Sequence, residues 1–344
     1  MGAKRPWLWP LVPVYGLVTG ARRWLAGWGL VRRRWLQAPV ISVGSCSAGG
    51  AGKTPVVLLL TQALMQRGYG VRILTRGYRR QSQQVERVDP EGDAAWYGDE
   101  PMLLARRSGA PVFVGADRYE AGLLAESEIK AEETVVHILD DGFQHWGLGR
   151  EVDVVLLTRA DLEDALLPAG NLRESLGALS HADVIVLREE ELAWTEGFAA
   201  RLQRGPRAPL VWVVRRGLRF VEGEGGGQLV AFCGIARPEG FVEMLRSSGV
   251  SVAGTVFFAD HQAYDSAAMD RLVQEARACG ADGFVTTEKD AVKLTEEMWT
   301  KLEAVGSVVV ARLELELVDE KAAMDGMIAR VRAIDRRRRK KVWR

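Results

Sequence analysis

Apolar positions along this chain fall into short runs separated by longer stretches with helical spacing. "VISVG" (40–44), "VRILT" (71–75), "PVFVG" (111–115), "VVHILDD" (135–141), "DVVLLT" (153–158) and "DVIVLR" (183–188) are the first set. A strand with one wet face would alternate apolar and polar residues. Continuous apolar runs suit strands covered on both faces, in a mostly parallel sheet with helices above and below. A Gly-rich break, "VEGEGGGQ" (221–228), precedes a second set: "LVAFCG", "VAGTVFF", "GFVTT" and "SVVVA". The pattern predicts an α/β fold in three parts: a helical segment over 1–37, a large α/β domain over 38–222, and a smaller α/β domain over 228–344. No internal repeat is visible.

The first 37 residues follow another pattern. The uncharged run Pro6–Ala21 is 16 residues long, short of the roughly 20 needed to span a bilayer, and it contains three prolines. From Leu17 a helical stripe is expected: Leu17, Ala21, Trp24, Trp28, Val31 and Trp35, with arginines beside and behind it. Tryptophan on one side and arginine around it suit a helix lying in the membrane interface. A secretory signal is the plainer explanation, but Arg22 and Arg23 interrupt the run and no small-residue cleavage site follows. A helix docked on the protein's own core is the other.

Charge sharpens this picture. The net charge of +1 hides a polarised chain. Residues 1–37 and 336–344 each carry seven Lys/Arg and no acid, which leaves 32 of the 46 basic residues against all 45 acids, a body near −13. Basic ends attract anionic surfaces, either membrane headgroups or nucleic acid. The tryptophans favour membrane, and no nucleic-acid partner is expected. Cys46, Cys233 and Cys279 show no metal-ligand or redox spacing, which fits a reducing compartment.

The candidate chemistry begins with "SVGSCSAGGAGKTP" (42–55). Gly52, Lys53 and Thr54 complete a phosphate-binding loop, but Ser47 stands where the first glycine is usual. The context is right: an apolar strand, a Gly-rich loop and a helix. Backbone N–H groups of Ala48, Gly49, Gly50, Ala51 and Gly52 and the helix start would cradle the phosphates of ATP. Lys53 would pair with the outer phosphates and Thr54 would hold Mg²⁺. A serine serves at 47 if its φ stays negative. The competing explanation is a Gly-rich turn with a solvated lysine. Asp140 and Asp141, at the end of an apolar strand, suit the Mg²⁺ carboxylate of a P-loop NTPase-like fold, against an Asp-Gly turn.

Ten motifs, in order, carry a resemblance to a known family: "WPLVPVYGLV", "GGAGKTP", "LTRGYRR", "YGDEP", "VGADR", "LDDGFQH", "LLPAGNLRE", "GIARPEGF", "ADHQAY" and "TTEKDAVK". The chain resembles the tetraacyldisaccharide 4′-kinases of lipid A biosynthesis over most of its length. The resemblance implies ATP- and Mg²⁺-dependent phosphorylation of the 4′-hydroxyl of a tetraacylated glucosamine disaccharide 1-phosphate. It implies a site at the cytoplasmic face of the bacterial inner membrane, with a peripheral or monotopic attachment. A monomer is expected. Ser47 matches the family pattern. Ser45-Cys46, Asn171 and Ala236-Arg237 depart from it.

The resemblance also implies roles. Asp99 matches the catalytic aspartate that accepts the hydroxyl proton, and His261 the partner that tunes it. Without the family, Asp99 before Glu-Pro reads more readily as a helix cap. Glu100 joins Thr54, Asp140 and Asp141 as a metal-site candidate. Arg76, Tyr78, Gln144, His145, Arg173 and Glu174 are substrate-binding or supporting candidates. Lys289 and Asp290 are adjacent, the wrong spacing for guanine selection. Two other classes stay open: a membrane-recruited NTPase switch, and a nucleotide-binding scaffold without chemistry.

Overall fold

The computed structural model describes residues 5–28, 30, 32–204, 208–222, 226–260 and 262–342. Twelve strands form one sheet. They are β1 (Val40–Ser45), β2 (Gly70–Thr75), β3 (Glu86–Arg87), β4 (Val112–Val114), β5 (Val135–Asp140), β6 (Val152–Leu156), β7 (Val184–Arg188), β8 (Leu210–Glu222), β9 (Gln228–Cys233), β10 (Ser251–Phe257), β11 (Gly283–Thr287) and β12 (Ser307–Leu317). Their order is β10-β9-β11-β12-β8-β7-β6-β1-β5-β2-β4-β3. All neighbours are parallel except β3 with β4 and β8 with β12. The runs expected as doubly covered strands are so: β1 and β5 are buried at every position.

The two sets of strands meet through a long ribbon. The first half of β8 pairs with β7, and its second half runs on to pair with β12, which pairs with β11. Because β8 and β12 are antiparallel, the two sets run in opposite directions. Their carboxyl ends therefore face each other, and open α/β sheets place their ligands at such ends. An ion pair and a hydrogen bond cross this cleft: Arg107 Nη1 lies 2.7 Å from Glu288 Oε2, and Arg79 Nη1 donates to the Asp260 carbonyl at 3.3 Å.

Separate apolar clusters pack on each set. Helix α2 (Lys53–Met65) buries Val56, Val57, Leu60 and Leu64 beneath the first. The closing helix, Glu320–Val342, crosses back onto that same first set, where Met324 and Met327 are fully buried.

The N-terminal stripe needs correction. A 3₁₀ turn, Pro6–Leu11, leads into helix α1 (Val12–Gly27), which stops eight residues before Trp35. Pro6 opens the 3₁₀ turn and Pro13 lies in the first turn of α1, where a missing N–H costs nothing, while Pro10 lies inside the 3₁₀ turn. Trp35 instead lies against Gly149 and beneath the Arg338 guanidinium, 5.3 Å from its ring. Val31 lies outside the described residues. What remains of the stripe is pronounced: Leu17 is 75%, Trp24 55% and Trp28 70% exposed. The opposite face of α1 carries Tyr15, Thr19 and Arg23 and turns toward the body. The helix thus turns Tyr15 and Arg23 inward and leaves Leu17 and Trp24 outside. Among the described residues no helix is long and apolar enough to cross a membrane.

Candidate active site

The loop from β1 to α2 is built by glycines where the backbone demands them. Gly49, Gly50 and Gly52 have φ of +82°, +69° and +90°, which L side chains rarely adopt. Ser47 is not among the positive-φ residues. It forms an antiparallel bridge to Leu172, and Ala48 N–H donates to the Asn171 carbonyl at 2.8 Å. The segment after residue 164 therefore takes the place of a tight glycine turn. Gly52 caps α2 with no side-chain acceptor, so the first helical N–H groups remain for an anion.

Two carboxylates stand opposite this loop in contrasting states. Asp140 is buried at the end of β5 and accepts a hydrogen bond from Thr75 Oγ1 at 3.0 Å. Burial, then the charges of Glu100 and Asp141, push its carboxyl up to about 7. Thr54, Asp140 and Glu100 are the residues that could hold Mg²⁺, their oxygens being the hard donors such a cation takes. Asp141 has φ +49° and a different fate. Its oxygens accept from Arg173 Nη1 at 2.8 Å and Nη2 at 2.6 Å, and Lys53 Nζ lies 3.5 Å away. Burial works against it, yet Arg173 and Lys53 hold it down at about 2. Expected beside Asp140 as a metal ligand, Asp141 is engaged here in orienting two cations. Among the described residues no group of three or more His, Cys, Asp or Glu is arranged as a metal site.

The supporting candidates divide. Arg173 also points at the Ser45 carbonyl, and its own carbonyl accepts from Tyr15 of α1 at 3.1 Å. Glu174 is buried in an ion pair with Arg23, whose guanidinium lies 4.7 Å from the rings of both Phe143 and Trp146. Glu174 therefore faces the N-terminal helix rather than the phosphate loop. Gln144 Nε2 donates to the Ser45 carbonyl at 3.0 Å. His145 is half-buried, and burial together with Arg118 and Arg150 presses its imidazole down to about 4. Arg76 and Tyr78 are exposed on the turn after β2, and the charge of Arg76 acts on the buried Arg118.

Asp99 opens the helix Asp99–Ser108 from its first turn. The cap position belongs to Gly98, at φ +96°, so Asp99 is not the cap its sequence context allowed. Lys293 Nζ reaches from the second set to 3.9 Å from Asp99 Oδ2. Lys293 also lies 2.8 Å from Asp290, which is fully buried and accepts from Tyr264 Oη at 2.8 Å and Thr287 Oγ1 at 2.7 Å. Glu100 faces Lys289 at 3.5 Å, and Lys289 faces Asp260 at 3.3 Å. His261, the expected partner of Asp99, lies outside the described residues.

The family model described as Tetraacyldisaccharide-1-P 4′-kinase matches residues 4–332. The chain belongs to this family. Two curated relatives named tetraacyldisaccharide 4′-kinase, from Koribacter versatilis and Geobacter metallireducens, are each 38% identical to it. They align over 93% and 89% of this chain, and over 97% and 92% of their own. The solved structure of LpxK from Aquifex aeolicus in complex with ATP is 29% identical, with a TM-score of 0.75. It covers 95% of this chain and 99% of that one. The tetraacyldisaccharide 4′-kinase is thus an ATP-dependent transferase of lipid A biosynthesis, and the NTPase-switch alternative is not favoured. In this kinase several cleft residues escaped the sequence reading. Lys293 and Asp290 lay within a quoted motif, three apart where the short helix Glu288–Ala291 gives way to a turn that brings the two side chains together. Arg188, whose Nη2 donates to the Ala51 carbonyl at 2.7 Å, had no signal beyond its place at a strand end.

Proposed function

We propose that Asp99 accepts the proton of the 4′-hydroxyl of a tetraacylated glucosamine disaccharide 1-phosphate as that oxygen attacks the γ-phosphorus of ATP. The observation that carries this is convergence. Asp99, Lys53 and Asp140 all emerge from the carboxyl edge of the first set, facing the second set across one cleft. Lys53, oriented by Asp141, neutralises the outer phosphates. Mg²⁺ held by Thr54 and Asp140, with Glu100 opposite, would offset charge on the β- and γ-oxygens. His261 tunes Asp99 from the second set. Arg76, Tyr78, Arg118 and His145 form a basic and aromatic shelf suited to the glycolipid's phosphate and sugar. The apolar outer face of α1 lies in the cytoplasmic leaflet interface as a peripheral attachment.

The test is transfer of labelled phosphate from ATP to the disaccharide in mixed micelles. Asp99→Asn should lower kcat by about 10²–10⁴ and leave ATP affinity within a few-fold. A variant retaining more than a tenth of wild-type turnover removes Asp99 from the base role.

A further inference from the structure

One side chain of the second set rests directly on the phosphate loop. A Cβ built on Gly50 would lie 3.2 Å from Arg237 Nε, 3.5 Å from Arg237 Cγ and 3.4 Å from Ala236 Cβ. Arg237 thus reaches the loop from the turn after β9 and lies against its backbone. A Cβ built on Gly49 would meet nothing within 4 Å, so the loop stays open beside this contact.

The charges around the loop make Arg237 unlike its neighbours. Lys53 and Arg173 share Asp141, and Arg188 has Glu191 at 2.9 Å. Arg237 makes no hydrogen bond or ion pair among the described residues. Arg188, whose Nη2 would be 3.4 Å from a Cβ on Gly52, sits close enough to feel it. Burial first, then Arg216 and Arg237 acting against Glu191, lower Arg188 from its ordinary value. Two guanidinium groups beside one anion-binding loop, one with no ion-pair partner among the described residues, call for an anion between them.

We propose that Arg237 is an arginine finger supplied in cis, which pairs with the γ-phosphoryl oxygens of ATP as they gain charge during transfer. The inference rests on reading residues 49–54 as the ATP phosphate loop. In the step it serves, the acceptor oxygen bonds to the γ-phosphorus and its proton passes to Asp99. The bond from that phosphorus to the β,γ-bridging oxygen breaks, and its electron pair leaves with ADP. Arg237 neither donates nor accepts a proton. It offers two parallel N–H groups to oxygens whose charge is greatest midway, so its effect belongs in kcat rather than in ATP binding. Its position makes catalysis depend on the second set being closed over the first.

The test compares Arg237→Ala, Arg237→Lys and Lys53→Ala in the full chain. It measures phosphate transfer to the disaccharide, equilibrium binding of ATP, and binding of ADP with aluminium fluoride, a stand-in for the transferring group. Arginine fingers contribute about 10³–10⁵ in turnover, and a half-buried one should contribute at least 10²-fold. Arg237→Ala should therefore lose at least 10²-fold in kcat and tenfold or more in affinity for ADP·aluminium fluoride, with ATP binding within threefold. Lysine should recover little, because it lacks the planar fork. Added guanidinium should restore part of the Arg237→Ala activity and none of the Lys53→Ala activity. Turnover within threefold of wild type overturns the proposal, as does a tenfold loss of ATP affinity at unchanged kcat. If Lys53→Ala is inactive while Arg237→Ala is normal, only the finger fails. If Lys53→Ala stays active, the phosphate-loop reading fails with it.

Discussion

Replacing Trp24 and Trp28 by serine tests the outward face of α1 without touching its inner one. The two rings pack 4.8 Å apart and are 55% and 70% exposed. At about 200 Å² per tryptophan, they present roughly 250 Å² to whatever lies outside. Full transfer to an apolar phase would be worth about 6 kcal/mol at ~25 cal/mol per Å². An interfacial helix buries only part of that area, so about half, near 3 kcal/mol, is the expected loss. That is roughly a hundredfold in partitioning. The assay is sedimentation with anionic vesicles at low and high salt, alongside the apparent KM for the disaccharide. Both should shift by one to two orders of magnitude, while ATP affinity stays put because Tyr15 and Arg23 on the inner face are untouched. Salt should weaken the wild type only in part, since screening spares apolar contacts. A double variant that sediments within threefold of wild type would place the membrane contact elsewhere.

Four further outcomes follow from the side chains described. Lys53→Ala should lose about 10²–10³ in turnover, measured by phosphate transfer at saturating ATP. Arg23→Ala would leave the buried Glu174 unpaired and should lower unfolding stability by on the order of 3 kcal/mol, read from urea midpoints. Arg338→Ala should cost a similar amount, because Arg338 lies 3.0 Å from the buried Glu151 and donates to the Leu36 and Gln37 carbonyls. His145 is held neutral, down at about 4, so the unfolded chain binds a proton that the folded chain refuses. Stability should therefore fall as pH drops from about 6.5 toward 4, and His145→Gln should flatten that part of the urea-midpoint profile.

Legibility followed from how local each signal was. β1 and β5 announced themselves through continuous apolar runs, because burial on both faces leaves no polar alternation to read. The shape of the loop after β1 was legible because Gly49, Gly50 and Gly52 answer to backbone geometry within four residues. Ser47 could be accommodated in advance, but the reason, its bridge to Leu172 some 125 residues later, is tertiary. Asp141 shows the limit most clearly. Its type and place suggested a metal ligand, and only the folded chain brings Arg173 to both of its oxygens. The end of α1 at Gly27 was misjudged for a related reason. The stripe's period continues to Trp35, but that ring leaves the helix to cover Gly149. Cross-cleft partners such as Lys293 with Asp99 depend on the reversal of strand direction at β8 and β12, which no local pattern encodes.

The arrangement resolves a problem set by the reaction itself. On the proposed function the acceptor is a tetraacylated lipid, whereas the nucleotide is aqueous. A flexible anchor would leave the distance between them undefined. Here α1 is fastened to the segment that serves the phosphate loop: Tyr15 donates to the Arg173 carbonyl, and Arg23 pairs with Glu174. Arg173 in turn grips Asp141, which orients Lys53. From the exposed apolar face of α1 to Lys53 the path runs through Tyr15, Arg173 and Asp141, the last two in an ion pair. The same turn of the chain carries Phe143 and Trp146, against which Arg23 packs, and His145 lies between them in sequence. A helix so held cannot pivot without disturbing Asp141. Its two faces differ accordingly: Tyr15 and Arg23 are engaged by the body, while Leu17, Trp24 and Trp28 stay exposed, the face that the proposed attachment would use.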